Sequence, residues 1–162
     1  MFALTHDFCD FLVIALRLVL ACALGGIVGF EREYKHRPAG FRTYILVCVG
    51  SALVMVTSEF IFRKYLGQVN TDPARLGAQV ISGIGFLGAG TIIREGASIK
   101  GLTTAASLWA VACVGIAAGI GFYAGAIAAT MLIFATLKAL KRFEARFAKN
   151  KCAELFEEDQ KE

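Results

Sequence analysis

Apolar residues along this chain gather into five runs separated by short polar stretches: Phe11 to Phe30, Tyr44 to Phe62, Ala74 to Ile93, Thr103 or Thr104 to about Ala118, and Phe122 to Leu137. A run of about 20 apolar residues is long enough to carry a helix across the hydrocarbon of a bilayer. The pattern predicts an all-α, polytopic membrane helical bundle of about five transmembrane helices. The polar connections are Glu31–Arg42, Arg63–Asp72 and Arg94–Leu102, with a tight turn at Gly119-Ile120-Gly121. That turn is placed by length, because Leu102 to Leu137 is too long for one ordinary crossing and short for two. Residues 1–137 are expected to form the bundle and 138–162 a polar cytoplasmic tail. Within the tail, Lys138 to Lys151 reads as a basic amphipathic helix along the headgroups, with Phe143 and Phe147 four residues apart.

Small residues recur inside the runs at helical spacing. In the third run, Asp72 stands where an N-cap is wanted and Pro73 at a first helical position. Ala78, Ser82, Gly85 and Ala89 then follow at steps of four, three and four, and Gly83, Gly88 and Gly90 thin the neighbouring faces. In lipid, such faces let helices approach closely, so this helix is expected at the centre of the bundle. Arg17, Ala21, Gly25 and Gly29 make a similar face on the first run, and Gly121, Gly125 and Ala129 on the last. Gly83-Ile-Gly85-Phe-Leu-Gly88 also fits the G-x-G-x-x-G pattern, but a dinucleotide-binding turn follows a strand and opens a helix. Here a helix-length apolar run surrounds it, so the glycines are assigned to helix packing.

Charge refines the picture. The chain is 57% hydrophobic with a net charge of +4, and most basic residues lie in Arg32–Arg42 and Lys138–Lys151. With the N-terminus outside, the first loop, third loop and tail place 13 of the 17 Lys and Arg residues in the cytoplasm, as the positive-inside rule requires. Glu31, Arg32, Arg37, Arg42, Arg94, Glu95 and Lys100 then share one cytoplasmic surface, and Asp72 and Arg75 lie on the outer side. The N-terminal segment lacks the basic start of a cleaved signal peptide and reads as a retained span. No soluble basic domain is present to carry nucleic acid. Five cysteines show no paired spacing, and four lie in apolar runs as small hydrophobes. Cys152 lies in the tail.

Arg17 is the one charge expected well inside hydrocarbon, where insertion costs about 2.5–3.5 kcal/mol. It is expected to face the bundle, with Asp10 two turns away as a candidate partner. Gln79 and Ser82 are further intramembrane polar candidates. His36 reads as a solvated loop residue, since no second His lies near it to share a metal. Glu31, Glu33 and Glu95 have the chemistry for a cytoplasmic Mg²⁺ sensor; the alternative is that they pair with Arg32, Arg42 and Arg94. No catalytic motif of the Ser/His/Asp, H-E-x-x-H or P-loop kind is present.

Three segments, E-R-E-Y-x-x-R-P-A-G-x-R-T from Glu31, D-P-x-R-x-x-A-Q-V-I-S-G-I-G-F-L-G-A-G-T-I-x-R-E-G from Asp72, and K-G-L-T-T-A-A-S-L-W from Lys100, together resemble the MgtC/SapB family of bacterial inner-membrane proteins. The resemblance covers nearly all of residues 11–137. It implies a five-span bundle and links to growth in low magnesium and survival inside macrophages. For the namesake it also implies inhibition of the F-type ATP synthase. Matching polar positions are Glu31, Arg32, Arg37, Arg42, Thr43, Asp72, Arg75, Gln79, Arg94, Glu95 and Thr104. Thr103 stands where the namesake carries Asn, a position tied to its action on the synthase. Many relatives continue into a soluble ACT-like domain, which this sequence does not reach, so activity needing that domain is not expected here. The resulting expectation is a non-enzymatic membrane regulator that binds another membrane protein, such as the synthase or a second copy. The alternative is an ion transporter or channel, with Mg²⁺ as the candidate ion and no other cofactor.

Overall fold

In hydrocarbon, a backbone must satisfy its own N–H and C=O groups, and long apolar segments do so as helices. The computed structural model describes residues 2–138, with side chains from Cys9 onward. It contains α1 (Phe2–Tyr34), α2 (Phe41–Tyr65), α3 (Arg75–Gly90), a hairpin of β1 (Ile93–Glu95) and β2 (Ser98–Lys100), α4 (Leu102–Gly119) and α5 (Tyr123–Lys138). The five helices match the five apolar runs. Three of them, α1, α2 and α4, are long and apolar enough to cross a membrane, whereas α3, with 16 residues, and α5 are shorter. The break between α4 and α5 falls where expected, with Gly121 turning the chain at φ +87°. The amphipathic helix expected beyond Lys138, and Cys152, lie outside the described residues.

Glycine decides which helices touch. A Cβ at Gly25 would lie 2.7 Å from Cys48 Cβ and 2.8 Å from the Tyr44 carbonyl oxygen, and one at Gly29 would lie 2.9 Å from Phe41 Cα. The predicted Gly25–Gly29 face of α1 is therefore the seam with α2. On the other side of α2, a Cβ at Gly115 would meet Cys48 O at 2.2 Å, and one at Gly119 would meet Ala52 O at 2.5 Å. Thus α2 is clasped between α1 and α4. The core of Ala21, Leu24, Val28, Tyr44, Cys48, Ala52, Leu108, Val111, Val114, Ala118 and Ala126 fills the space between α1, α2, α4 and α5.

The expectation that α3 occupies the centre is overturned. It packs on α2 and α4 through Gly77, Ile84 and Gly88. At Gly77 an added Cβ would meet Met55 Sδ at 2.8 Å, and at Gly88 it would meet Ala105 Cβ at 3.6 Å. The stripe of Ala78, Ser82, Gly85 and Ala89 is exposed, as is Gln79, and the space beside Gly83, Gly85 and Gly90 is open. At 100° per residue the stripe is turned about 110° from the buried face. Ile84 is the buried large side chain of this helix, on the face that α3 turns to its neighbours.

Helix starts differ from expectation as well. Asp72 Oδ1 accepts from the Ala74 N–H (2.8 Å), and Pro73 O accepts from Ser58 Oγ (2.7 Å), so Asp72 shapes the turn ahead of α3 instead of capping it. At α4 the N-cap is Gly101 at φ +91°, not a threonine. A Cβ there would lie 1.9 Å from Thr91 O, so the hairpin folds against the end of α3 only because this position carries no side chain. The third polar connection is a hairpin that pairs Ile93 with Lys100, Arg94 with Ile99 and Glu95 with Ser98.

Large apolar side chains cover the outside. Phe11, Leu16, Val19, Phe30, Leu46, Phe86, Met131 and Leu132 are all at least 60% exposed. An apolar belt of this extent is a surface for lipid.

Candidate functional site

Two polar layers interrupt the apolar bundle, one at each end. The first centres on Arg17. Its Nη1 donates to Glu59 Oε2 (2.5 Å) and to the Gly119 carbonyl (2.9 Å), and its Nε donates to Tyr123 Oη (3.3 Å). Glu59 also accepts from Arg63 one turn on. Arg17 does face the bundle, as the spacing of Ala21, Gly25 and Gly29 implies. Its partner is Glu59, from α2, in place of the expected Asp10, which is exposed. The antiparallel packing set by Gly25 and Gly29 brings the end of α2 level with Arg17.

The second layer lies at the opposite end, where α1 ends, α2 and α4 begin, and the hairpin and the end of α5 gather. Arg32 is 4% exposed. Its Nη2 donates to Thr104 Oγ1 (2.9 Å), and the Tyr44 hydroxyl lies beside the same guanidinium. Its Nε is buried without a partner. Thr104 belongs to a buried chain of polar groups. Ser107 Oγ donates to Thr104 O (3.0 Å), and because this uses its single proton, Tyr44 Oη is the donor in the 2.5 Å bond between Tyr44 and Ser107. Four consecutive polar residues of the network thus come from α1, α2 and α4.

Glu31, next to Arg32 in the chain, is turned by one residue's rotation and does not pair with it. Its Oε1 takes Lys35 Nζ, and its Oε2 is buried and unpartnered. Glu33 Oε2 accepts from the Phe41 N–H (2.9 Å), and Glu95 pairs with Lys100 (2.6 Å). The expected pairing of these acids with Arg32, Arg42 and Arg94 is therefore replaced by pairing with two lysines and a backbone amide. Arg94 Nε instead donates to Gly96 O (3.2 Å). Among the described residues, no group of three or more His, Cys, Asp or Glu is placed to hold a metal ion.

A cavity of about 700 Å³ opens at this end. It is lined by Arg32, by Lys35, His36, Arg37 and Pro38 from the α1–α2 loop, by Ile99 to Thr104 from β2 and the start of α4, and by Thr136 and Leu137 of α5. Of the predicted polar cluster, Arg32, Arg37, Thr103 and Thr104 meet here. Glu31, Arg42, Arg94 and Glu95 lie at the same end of the bundle but do not line the cavity. Sequence reasoning missed Lys35, His36 and Thr136 as lining residues, and Tyr44 and Ser107 as the support beneath. At the other end Asp72 and Arg75 are exposed.

The family model described as "MgtC family" matches residues 18–146. The chain belongs to the MgtC family. It is 46% identical over 121 residues to "Protein MgtC" of Brucella abortus, covering 75% of this chain and 48% of that protein. To "Protein MgtC" of Salmonella typhimurium it is 43% identical over 118 residues, 73% of this chain and 48% of the relative. It is 38% identical over 133 residues to the Escherichia coli protein named "Putative magnesium transporter YhiD", covering 81% of this chain and 62% of YhiD. The chain thus spans about half to three-fifths of the length of these MgtC-family relatives. No solved structure matches it. Every polar residue assigned above to the Arg32 layer and the cavity lies within the matched segment.

Proposed function

We propose that this MgtC-family protein is a non-enzymatic regulator of the bacterial inner membrane that works by binding another membrane protein. The observation that carries this reading is the outward face of α3, where Ala78, Ser82, Gly85 and Ala89 are exposed and the space beside Gly83, Gly85 and Gly90 is open. The Gly25–Gly29 face of α1 and the Gly115–Gly119 face of α4 each meet α2, whereas this face meets nothing within the chain and is open to a helix from outside. Close approach to a bare face is how helices associate in lipid, where apolar area alone gives no preference. Candidate partners are a second copy and the F-type ATP synthase. The N-terminus is placed outside and the Arg32 end in the cytoplasm, on the distribution of basic residues. The test is detergent pull-down and cysteine cross-linking from α3. A Gly85→Leu variant that folds as wild type should lose the partner; retention of the partner would refute the assignment of this face.

The second reading, Mg²⁺ transport, is favoured by the printed name of the E. coli relative. Against it, Glu59, the carboxylate that meets Arg17 between the helices, is held by two arginines, and the centre of the bundle is closed by Gly115 and Gly119 against α2. A Mg²⁺ path requires oxygen ligands at depth in octahedral geometry. The regulator reading therefore expects purified protein in liposomes to pass no Mg²⁺. Flux that is lost on changing Glu31 or Glu95 would overturn it in favour of transport.

A further inference from the structure

We infer that the cavity at the Arg32 end is a binding site for a phosphate group. Three independent features converge on it. The first is Arg32, 4% exposed and lining the cavity, with Thr104 Oγ1 and Tyr44 Oη beside its guanidinium and its Nε unpartnered. A guanidinium offers five donors in a planar fork matched to phosphate oxygens, and among the described residues no carboxylate forms an ion pair with this one.

The second is the start of α4. Its N-cap is Gly101, which has no side chain to occupy the N–H groups of the first turn, and that turn contains no acid. The Ala105 N–H is the first to close back onto Gly101 O, so the amides of Leu102, Thr103 and Thr104 precede the helical ladder. Unladdered amides at the positive end of an 18-residue helix bind anions. Thr104 accepts from Arg32 and so keeps its own proton for an acceptor.

The third is the charge of the walls. Arg32, Lys35, Arg37 and Lys100 line the cavity, and among the described residues no Asp or Glu does. Glu31 and Glu95 stand behind the lining and pair with Lys35 and Lys100, so the cationic charge left to meet an anion is that of Arg32 and Arg37. The phosphate has two possible sources, an anionic lipid headgroup entering past Leu137 and a soluble phosphate compound. Both would clamp α1, the hairpin and α4 together. This inference does not depend on the reading of the α3 face.

The experiment uses the full chain in nanodiscs of phosphatidylcholine, with thermal unfolding and native mass spectrometry as readouts. The probes are inorganic phosphate in solution and phosphatidylglycerol in the bilayer. A raised Tm and a retained adduct with inorganic phosphate assign a soluble source, and the same effects with phosphatidylglycerol alone assign a headgroup. The double variant Arg37→Gln/Lys100→Gln, at exposed positions that leave the fold intact, should weaken binding about tenfold, and Arg32→Gln should remove it. An Arg42→Gln/Arg94→Gln control, exposed at the same end but outside the cavity, should bind as wild type. The inference is overturned if neither probe binds, if Arg37→Gln/Lys100→Gln binds as wild type, or if the control loses as much as that variant.

Discussion

Arg17 on α1 and Glu59 on α2, 42 residues apart in the chain, meet at 2.5 Å across the helix seam. The side chains are 14% and 29% exposed, and Gly119 O and Tyr123 Oη complete the arginine's shell. One ion pair therefore ties α1 to α2 and to the α4–α5 turn.

Removing one member should cost more than removing both. Glu59→Gln leaves Arg17 charged within the bundle and is expected to destabilise by about 1–3 kcal/mol, below the range for a fully buried pair because water reaches Glu59. Arg17→Met/Glu59→Met should recover much of that loss. Thermal unfolding in detergent of the two single variants and the double variant measures the coupling. An Arg17→Ala protein that unfolds like wild type would show that the pair contributes nothing.

Glycines of similar appearance should behave oppositely. Gly115→Ala places a methyl 2.2 Å from a backbone oxygen of α2, so the helices must separate, at a cost of about 1–3 kcal/mol or more. Gly85→Ala adds its methyl to open space and should stabilise the isolated chain by about 0.5–1 kcal/mol, since alanine favours the helix. Melting temperatures of the two variants decide between packed and unpacked faces.

Tyr44→Phe removes the donor that holds Ser107 Oγ in a fully buried network. Ser107 keeps its bond to Thr104 O, so the loss is one hydrogen bond, about 1 kcal/mol. Chemical denaturation in detergent should register it, whereas Ser107→Ala should cost more, because it strands the Tyr44 hydroxyl in the core.

Gly101→Ala tests the hinge between hairpin and α4. The left-handed backbone and the contact with Thr91 O both oppose a side chain, so a loss of about 1–2 kcal/mol or more is expected. Protease sensitivity of the 93–100 hairpin should rise in parallel. A hairpin as resistant as wild type would mean that the turn adapts freely.

Helix number was legible because hydropathy and length alone determine what spans a bilayer, whereas α1 begins at Phe2 and not Phe11, and α3 ends at Gly90 and leaves Ile93 to the hairpin. The Gly25–Gly29 seam was legible for a related reason, since Arg17 marked its face as inward. For α3 no such marker existed. A row of Ala78, Ser82, Gly85 and Ala89 states that close approach is possible without saying whose helix approaches, and Ile84, an ordinary apolar residue in an apolar run, proved to point inward. Arg17's partner was hidden because nearness in sequence favoured Asp10, while the antiparallel seam brings Glu59 alongside. The hairpin escaped notice because three-residue strands are too short to show a period of two. At the Arg32 end the right segments were singled out, but the rotation of α1 that separates Glu31 from Arg32 needs coordinates.

The spacing of Arg17 and Arg32 along α1 has a consequence for the surrounding membrane. Fifteen residues of helix place the two charged layers about 22 Å apart, whereas a typical hydrocarbon slab is about 30 Å thick. Beside the short helices α3 and α5 the apolar height is smaller than along α1, which continues past Arg17 with Phe11, Leu12 and Val13 turned outward. Unequal height around one body is met by local thinning of the bilayer, tilt or association with other proteins, each at modest cost. Membranes of different thickness should therefore hold this protein with different preference.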